Sequence, residues 1–192
     1  MKKYPKYSVL MSVYFKENPN WLEYSIESMM NQTIKPDEFV LVEDGPLTEE
    51  LDSAVEKYAE KYPKIFNVVK IKKNGGLGPA LKLGVENCRN EYIARMDSDD
   101  YSVPDRIEKE LNMFLENPDL GMVGSNVSEF IDDIDNVVSS VVLPESNEDI
   151  IKFSKKRNPF RHPSVLFKKS VVLSAGNYRE YYPVSYTHLT LP

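Results

Sequence analysis

The sequence predicts an α/β fold, a mainly parallel sheet flanked by helices. Short, nearly all-apolar runs such as Ser8–Val13 and Phe39–Val42 have the pattern of strands buried on both faces. Segments with apolar residues at helical spacing lie between them. The connections are short, as right-handed βαβ units and a parallel sheet require. A length of 192 residues, 41% of them hydrophobic and 28% charged, fits one globular domain rather than a disordered chain.

The elements follow in order. Ser8–Val13 is the first strand, and Asn18 caps a helix in which Pro19 takes a first-turn position. Leu22, Ile26, Met29 and Met30 give that helix one apolar face. Phe39–Val42 is the second strand, and Thr48 caps a second helix whose inner face is Leu51, Val55, Tyr58, Ala59 and Tyr62. Phe66–Ile71 is the third strand, Leu77, Leu81, Val85 and Cys88 mark the third helix, and Tyr92–Met96 is the fourth strand. After Pro104 a helix carries Ile107, Leu111, Phe114 and Leu115 on one face. The pattern then changes to α+β. Two strands, Gly121–Ile131 and Val137–Val142, are predicted around a turn over Asp132–Asn136, then a helix over Asn147–Lys156 and a strand over Ser164–Phe167.

Composition removes several functions. A formal net charge of −6 disfavours a general nucleic-acid binder, which needs cations against phosphates. One cysteine, Cys88, excludes an intramolecular disulfide framework and a cysteine-cluster metal site. Two histidines, His162 and His188, leave little room for a histidine-rich zinc site. The longest apolar segments are strand-length, and Met1–Tyr7 lacks a signal-peptide pattern, so an intracellular domain is expected.

In open parallel sheets, ligands bind beyond the carboxyl ends of the strands. Those ends carry Ser12-Val13-Tyr14, Glu43-Asp44-Gly45-Pro46, Asn74-Gly75-Gly76-Leu77-Gly78 and Asp97-Ser98-Asp99-Asp100. Three carboxylates in four residues repel one another, and their oxygens suit Mg²⁺ or Mn²⁺ held together with substrate phosphates. The bland alternative is an acidic stretch before a helix that favourably opposes its dipole. Glu43-Asp44 offers acceptors to a base or a ribose, although Asp-Gly-Pro is turn chemistry by itself. Gly75 and Gly76 let backbone approach a phosphate or sugar, or simply make a tight turn into a helix. No Gly-Lys-Ser/Thr follows, so this is not a P-loop, and the first strand does not lead into Gly-x-Gly-x-x-Gly. His162 reads as structural, and Lys155, Lys156 and Arg157 as solvated cations at a helix end.

Taken together, Ser8–Tyr14, Asn31-Gln32-Thr33, Phe39–Gly45, Asn74–Leu77, Ala94–Asp100, Pro104-x-Arg106, His162-Pro163-Ser164 and Gly176–Arg179 resemble the family-2 glycosyltransferases. These are inverting enzymes of the GT-A fold. The resemblance runs from about Tyr7 to Arg179, and within the family it points to bacterial transferases of surface polysaccharide synthesis. It implies a nucleotide-diphospho-sugar donor, by analogy a UDP-sugar, and a saccharide or lipid-linked acceptor. It further implies no nucleic-acid partner, a cytoplasmic location, and peripheral association with the inner face of the plasma membrane through the acceptor. Ser12, Val13 and Tyr14 would line the base pocket with Glu17 nearby. Asp44 would bind uracil or ribose, with Glu43 as the second choice, and Gly75 and Gly76 would face the nucleotide. Asp97 and Asp99 would form the D-x-D, Asp97 toward the nucleotide and Asp99 on an Mn²⁺ or Mg²⁺ ion. The role of Asp100 stays open.

Family members usually carry an acidic pair a few residues after Gly-x-Tyr-Arg, one of them the general base. Here no carboxylate follows Glu180, so the base is expected to be missing beyond Tyr182. The expected organisation is a catalytic domain over 1–182, with a nucleotide-binding half over 7–100 and an incomplete acceptor-side half over 101–182. A non-native tail is expected over 183–192, which sets aside His188. A sugar-phosphate nucleotidylyltransferase is disfavoured because Ser12–Glu17 contains no glycine. A non-catalytic nucleotide-sugar-binding fragment is the remaining alternative.

Overall fold

The computed structural model describes residues 3–131 and 133–179. The inferences about Glu180, Tyr182, His188 and the tail over 183–192 lie outside the described residues. Strands β1 (Tyr7–Val13), β2 (Glu38–Asp44), β3 (Phe66–Ile71) and β4 (Tyr92–Arg95) alternate with helices α1 (Pro19–Met30), α2 (Glu49–Lys61) and α3 (Leu77–Asn87). Then come α4 (Arg106–Glu116), β5 (Met122–Gly124), β6 (Val127–Ile131), β7 (Asp133–Val141) and α5 (Asn147–Ser154). A 3₁₀ turn over His162–Ser164 leads into β8 (Val165–Lys168) and α6 (Lys169–Ser174).

The main sheet has the order β3-β2-β1-β4-β8-β5. The first four strands are parallel, and β8 is antiparallel to both β4 and β5. The chain moves outward from β1 to β3 and then returns to the other edge of β1 with β4. That reversal opens a crevice at the carboxyl ends of β1 and β4. Alternation along the strands divides the core into two layers. Val9, Met11, Phe39 and Leu41 face α1, α2 and α4, while Leu10, Val40, Val42 and Ile93 face α3 and α6.

The expected caps form. The Asn18 side chain accepts from the Asn20 amide at 2.9 Å, and Thr48 Oγ1 from the Leu51 amide at 3.3 Å. Two expectations need correction. The predicted strand over Gly121–Ile131 is broken at Ser125-Asn126 into β5 in the main sheet and β6 in a separate hairpin. The break has a partner: the Ser125 amide and hydroxyl turn to Ser164 instead of continuing the ladder. The predicted turn over Asp132–Asn136 is also tighter than expected, since Ile131 already pairs with Asp133 and β7 begins there.

Buried polar groups fasten α4 to the sheet. Gln32 donates to the Val103 carbonyl at 2.9 Å and accepts from the Ile107 amide at 3.1 Å. Arg106 pairs with Glu110 at 3.1 Å and donates to the Arg95 carbonyl at 3.0 Å. Burial pushes the Glu110 carboxyl up, against the pull of Arg106 and the Ser125 hydroxyl. Arg106→Met strands Glu110 in the core without its cation, and should cost about 3–5 kcal/mol in urea unfolding. Arg106→Met combined with Glu110→Leu should recover most of that loss, and a single-variant cost below about 1 kcal/mol would show that the pair does not hold α4.

Candidate functional site

The site lies at the carboxyl ends of the parallel strands. Ser12 and Val13 from the end of β1, Tyr14 just beyond it, Asp44 from β2, Asn74 and Gly76 from the loop before α3, and Leu77 at the start of α3 line one groove. Val13 is buried, whereas Tyr14 leaves β1 exposed, its ring edge-on to Phe15. Five of the expected residues therefore meet in one place.

Asp44 is buried, and its two carboxylate oxygens accept from the amides of Gly75 at 2.8 Å and Gly76 at 2.9 Å. The Asn74 side chain donates to the Asp44 carbonyl at 3.0 Å. The first partner of this carboxylate is thus the loop, which it fastens to the end of β2. Gly75 does not line the groove; it contributes the amide that Asp44 holds. Gly76 caps α3 at φ +90°, a backbone conformation that other residues adopt at a cost. Gly78 serves close approach instead, because a Cβ there would meet the Arg179 carbonyl at 2.7 Å.

Glu43 is a correction. It neighbours Asp44 in sequence, but alternation turns it to the opposite face of the sheet. There it pairs with Lys70 at 3.0 Å. Burial pushes its carboxyl up while Lys70 pulls it down. It does not reach the groove.

The second half of the site is the acidic loop after β4. Glu17 bridges to it from the loop after β1, accepting from the Ser98 hydroxyl at 2.5 Å and from the Asn18 amide at 2.9 Å. Ser25 of α1 donates to the Asp97 carbonyl at 2.6 Å, which fixes the loop from the helix side. The side chain of Asp97 pairs with Arg95. Asp99 sits on the exposed rim, its carboxyl pushed up by loss of solvent and by the charges of Glu17 and Asp97. Asp100 is pushed up to about 6 by burial and by Asp97 and Asp99. Negative charge here exceeds what Arg95 balances, and a cation would relieve it.

Sequence reasoning missed Arg95. It reads as one residue of a strand, yet it is wholly buried, and its Nε and Nη2 have no hydrogen-bond partner among the described residues. Close by, His162 Nε2 and the Tyr178 hydroxyl meet at 3.0 Å. Burial, and secondarily Arg95, lowers His162 well below its ordinary value, which favours the uncharged ring. The structural reading of His162 agrees with this geometry. On the outer rim Tyr24 and Tyr101 stack at 5.0 Å, and the carboxylates of Asp133 and Asp135 in the β6–β7 hairpin act on Tyr24.

The family profile described as Glycosyl transferase family 2 matches residues 8–173. The amylovoran biosynthesis glycosyltransferase AmsE of Erwinia amylovora is 41% identical over 91% of this chain. A UDP-Gal:α-D-GlcNAc-diphosphoundecaprenol β-1,3-galactosyltransferase of Escherichia coli is 36% identical over 93% of it. The chain spans 64% of the length of each of these two relatives. Among solved structures, a mannosyltransferase of Pyrobaculum calidifontis, in complex with GDP-Man and Mn²⁺, superposes with a TM-score of 0.67. That superposition covers 93% of this chain and 49% of the other at 18% identity, a likeness of fold. The sheet order and flanking helices are accordingly those of the GT-A fold. With that fold, and with the profile matched from β1 to α6, the chain belongs to glycosyl transferase family 2.

Proposed function

We propose that the chain carries the donor-binding part of an inverting glycosyltransferase of bacterial surface polysaccharide synthesis. Its donor is a UDP-sugar, and its acceptor a saccharide or a lipid-linked sugar. The observation that carries this reading is the groove at the ends of β1 and β2 set beside an acidic loop whose charge Arg95 only partly balances. The Escherichia coli relative, named for UDP-Gal and for GlcNAc-diphosphoundecaprenol, supports the donor and acceptor classes.

In this reading the exposed Tyr14 ring stacks on the base, and Ser12 and Val13 form the groove wall beneath it. Asp44 holds the glycine loop and offers its remaining lone pairs to uracil or ribose. Gly76 and Leu77 bring the start of α3 toward the diphosphate. Asp99, aided by Asp97, holds Mn²⁺ or Mg²⁺, and Glu17 keeps the acidic loop in place through Ser98. The donor set fits such an ion, being all oxygen. No three ligating side chains converge among the described residues. An ion held by Asp99 and Asp97 would take its remaining ligands from substrate phosphates and water. The cation, when bound, stabilises charge on the departing diphosphate. In the transfer itself, the acceptor hydroxyl oxygen bonds to the anomeric carbon as the bond to the diphosphate oxygen breaks. The hydroxyl proton goes to a base, which no described residue is assigned to be. Residues 7–100 would form the donor half, and 101–182 the acceptor side.

Calorimetry with UDP tests the reading. Binding should require Mn²⁺, and Asp99→Asn should abolish the metal dependence. Equal affinity in EDTA would remove the metal from the site. Binding of a UDP-sugar without transfer to any acceptor would leave a nucleotide-sugar-binding module.

Asp44→Ala should weaken UDP binding by about 1–3 kcal/mol. Because Asp44 also holds the glycine loop, the same substitution should speed hydrogen exchange at the Gly75 and Gly76 amides. Unchanged exchange together with unchanged UDP affinity would dismiss both roles.

A further inference from the structure

We propose that Lys155, Lys156, Arg157 and Arg161, together with Ile151 of α5, form a surface that docks on an anionic lipid bilayer beside the acidic loop. The chain carries a net charge of −6, yet these four cations fall within seven residues, and no stretch outside 152–161 is as dense. All four are exposed. Some cations elsewhere are held by carboxylates: Lys57 meets Glu23 at 2.6 Å, Lys109 meets Asp105 at 2.7 Å, and Lys152 meets Glu148 at 2.7 Å. Among the described residues no ion pair engages Lys155, Lys156, Arg157 or Arg161. The carboxylates at the opposite end of α5, Glu148 and Asp149, are drawn to Lys152 and Ser146. The helix is therefore acidic at its start and basic beyond its end.

The cations sit on an anchored loop. The Lys156 and Arg157 amides bond the Phe153 carbonyl at 2.9 and 3.0 Å, and the Phe160 amide bonds Asn158 Oδ1 at 3.0 Å. The Phe160 ring packs so closely on Gly124 that a Cβ there would come within 2.8 Å of it. The Arg161 carbonyl accepts from the Ser164 amide at 3.0 Å. Anchored from the sheet side, the loop presents its charges outward.

Apolar surface accompanies the charge. Helix α5 buries none of its residues, and Ile151 is 52% exposed. Val142, on the approach to α5, is 75% exposed. Lysine and arginine stems cover apolar surface while their heads stay among lipid phosphates, so mixed basic and apolar character fits a bilayer interface. A nucleic acid would use the cations and leave Ile151 and Val142 in water. The placement matters as well. Arg161 precedes the 3₁₀ turn His162–Ser164, which packs on β4 and runs into β8, the strand paired with β4, and β4 ends in the acidic loop. A bilayer held here brings a lipid-borne acceptor toward the acidic loop. The inference rests on the transferase reading for that last consequence alone.

Sedimentation with vesicles tests it without sugar transfer. The chain should partition onto mixed phosphatidylcholine–phosphatidylglycerol vesicles, not onto phosphatidylcholine alone, and high salt should release it. Lys155→Glu/Lys156→Glu/Arg157→Glu should lower partitioning by at least about tenfold, and Ile151→Ser by about threefold. Lys61→Glu/Lys64→Glu, which changes charge elsewhere, should leave it unchanged. Equal binding to neutral vesicles would overturn the proposal, as would parent-like partitioning of the triple variant. Displacement by inorganic diphosphate would replace the bilayer with a small-anion site, and stronger retention on duplex DNA would replace it with a nucleic acid. Unfolding midpoints of the variants should match the parent, since all the substituted residues are exposed. Vesicle binding without UDP binding would sink the transferase reading and spare this surface; the reverse would do the opposite.

Discussion

Everything at the site hangs on β1 being paired along both edges, with β2 on one side and β4 on the other. Because the chain leaves β1 in one direction and returns on the other, a crevice opens above the ends of β1 and β4 among the described residues. The loops there are not free to wander. The Glu17–Ser98 and Ser25–Asp97 hydrogen bonds tie the acidic loop to the segment after β1 and to α1. Asp44 performs the same task for the glycine loop after β3. The groove and the acidic loop are thus two halves of one edge, each held by a polar side chain from a neighbouring strand end or helix.

Electrostatics on that edge are deliberately unequal. Asp97, Asp99, Asp100 and Glu17 gather where Arg95 is the nearest buried cation, and Arg95 is committed to Asp97. Burying a guanidinium with two nitrogens lacking hydrogen-bond partners is costly. The arrangement makes sense where Asp97 must keep one orientation while its neighbours crowd it. Arg106 serves a different purpose. Its charge is spent on Glu110 and on the backbone of β4 and β8, which locks α4 beneath the sheet.

The first half of the fold was legible because its strands are short apolar runs and its caps, Asn18 and Thr48, are local chemistry. The second half was less so. The break between β5 and β6 depends on Ser125 meeting Ser164, a contact between residues far apart in sequence. Of the site, Ser12, Val13, Tyr14, Asp44 and Gly76 could be placed from strand ends alone. Glu43 was misread because an acidic pair looks like one feature, although a strand sends adjacent side chains to opposite faces. Arg95 was invisible for another reason: arginine in a strand pattern ordinarily signals solvent, and only the folded chain, in which it is wholly buried and paired with Asp97, reveals a buried charge.

The insertion of β8 between β4 and β5 has a consequence for a chain that is made from its N-terminus. Until residues 165–168 emerge from the ribosome, β4 is the unpaired margin of a four-stranded sheet. Its backbone amides and carbonyls then face outward as a template for any other extended segment. At ordinary elongation rates that interval lasts on the order of ten seconds. The nascent first half must therefore pass through a sticky stage before its own later strand arrives, and chaperone demand during synthesis should be concentrated there.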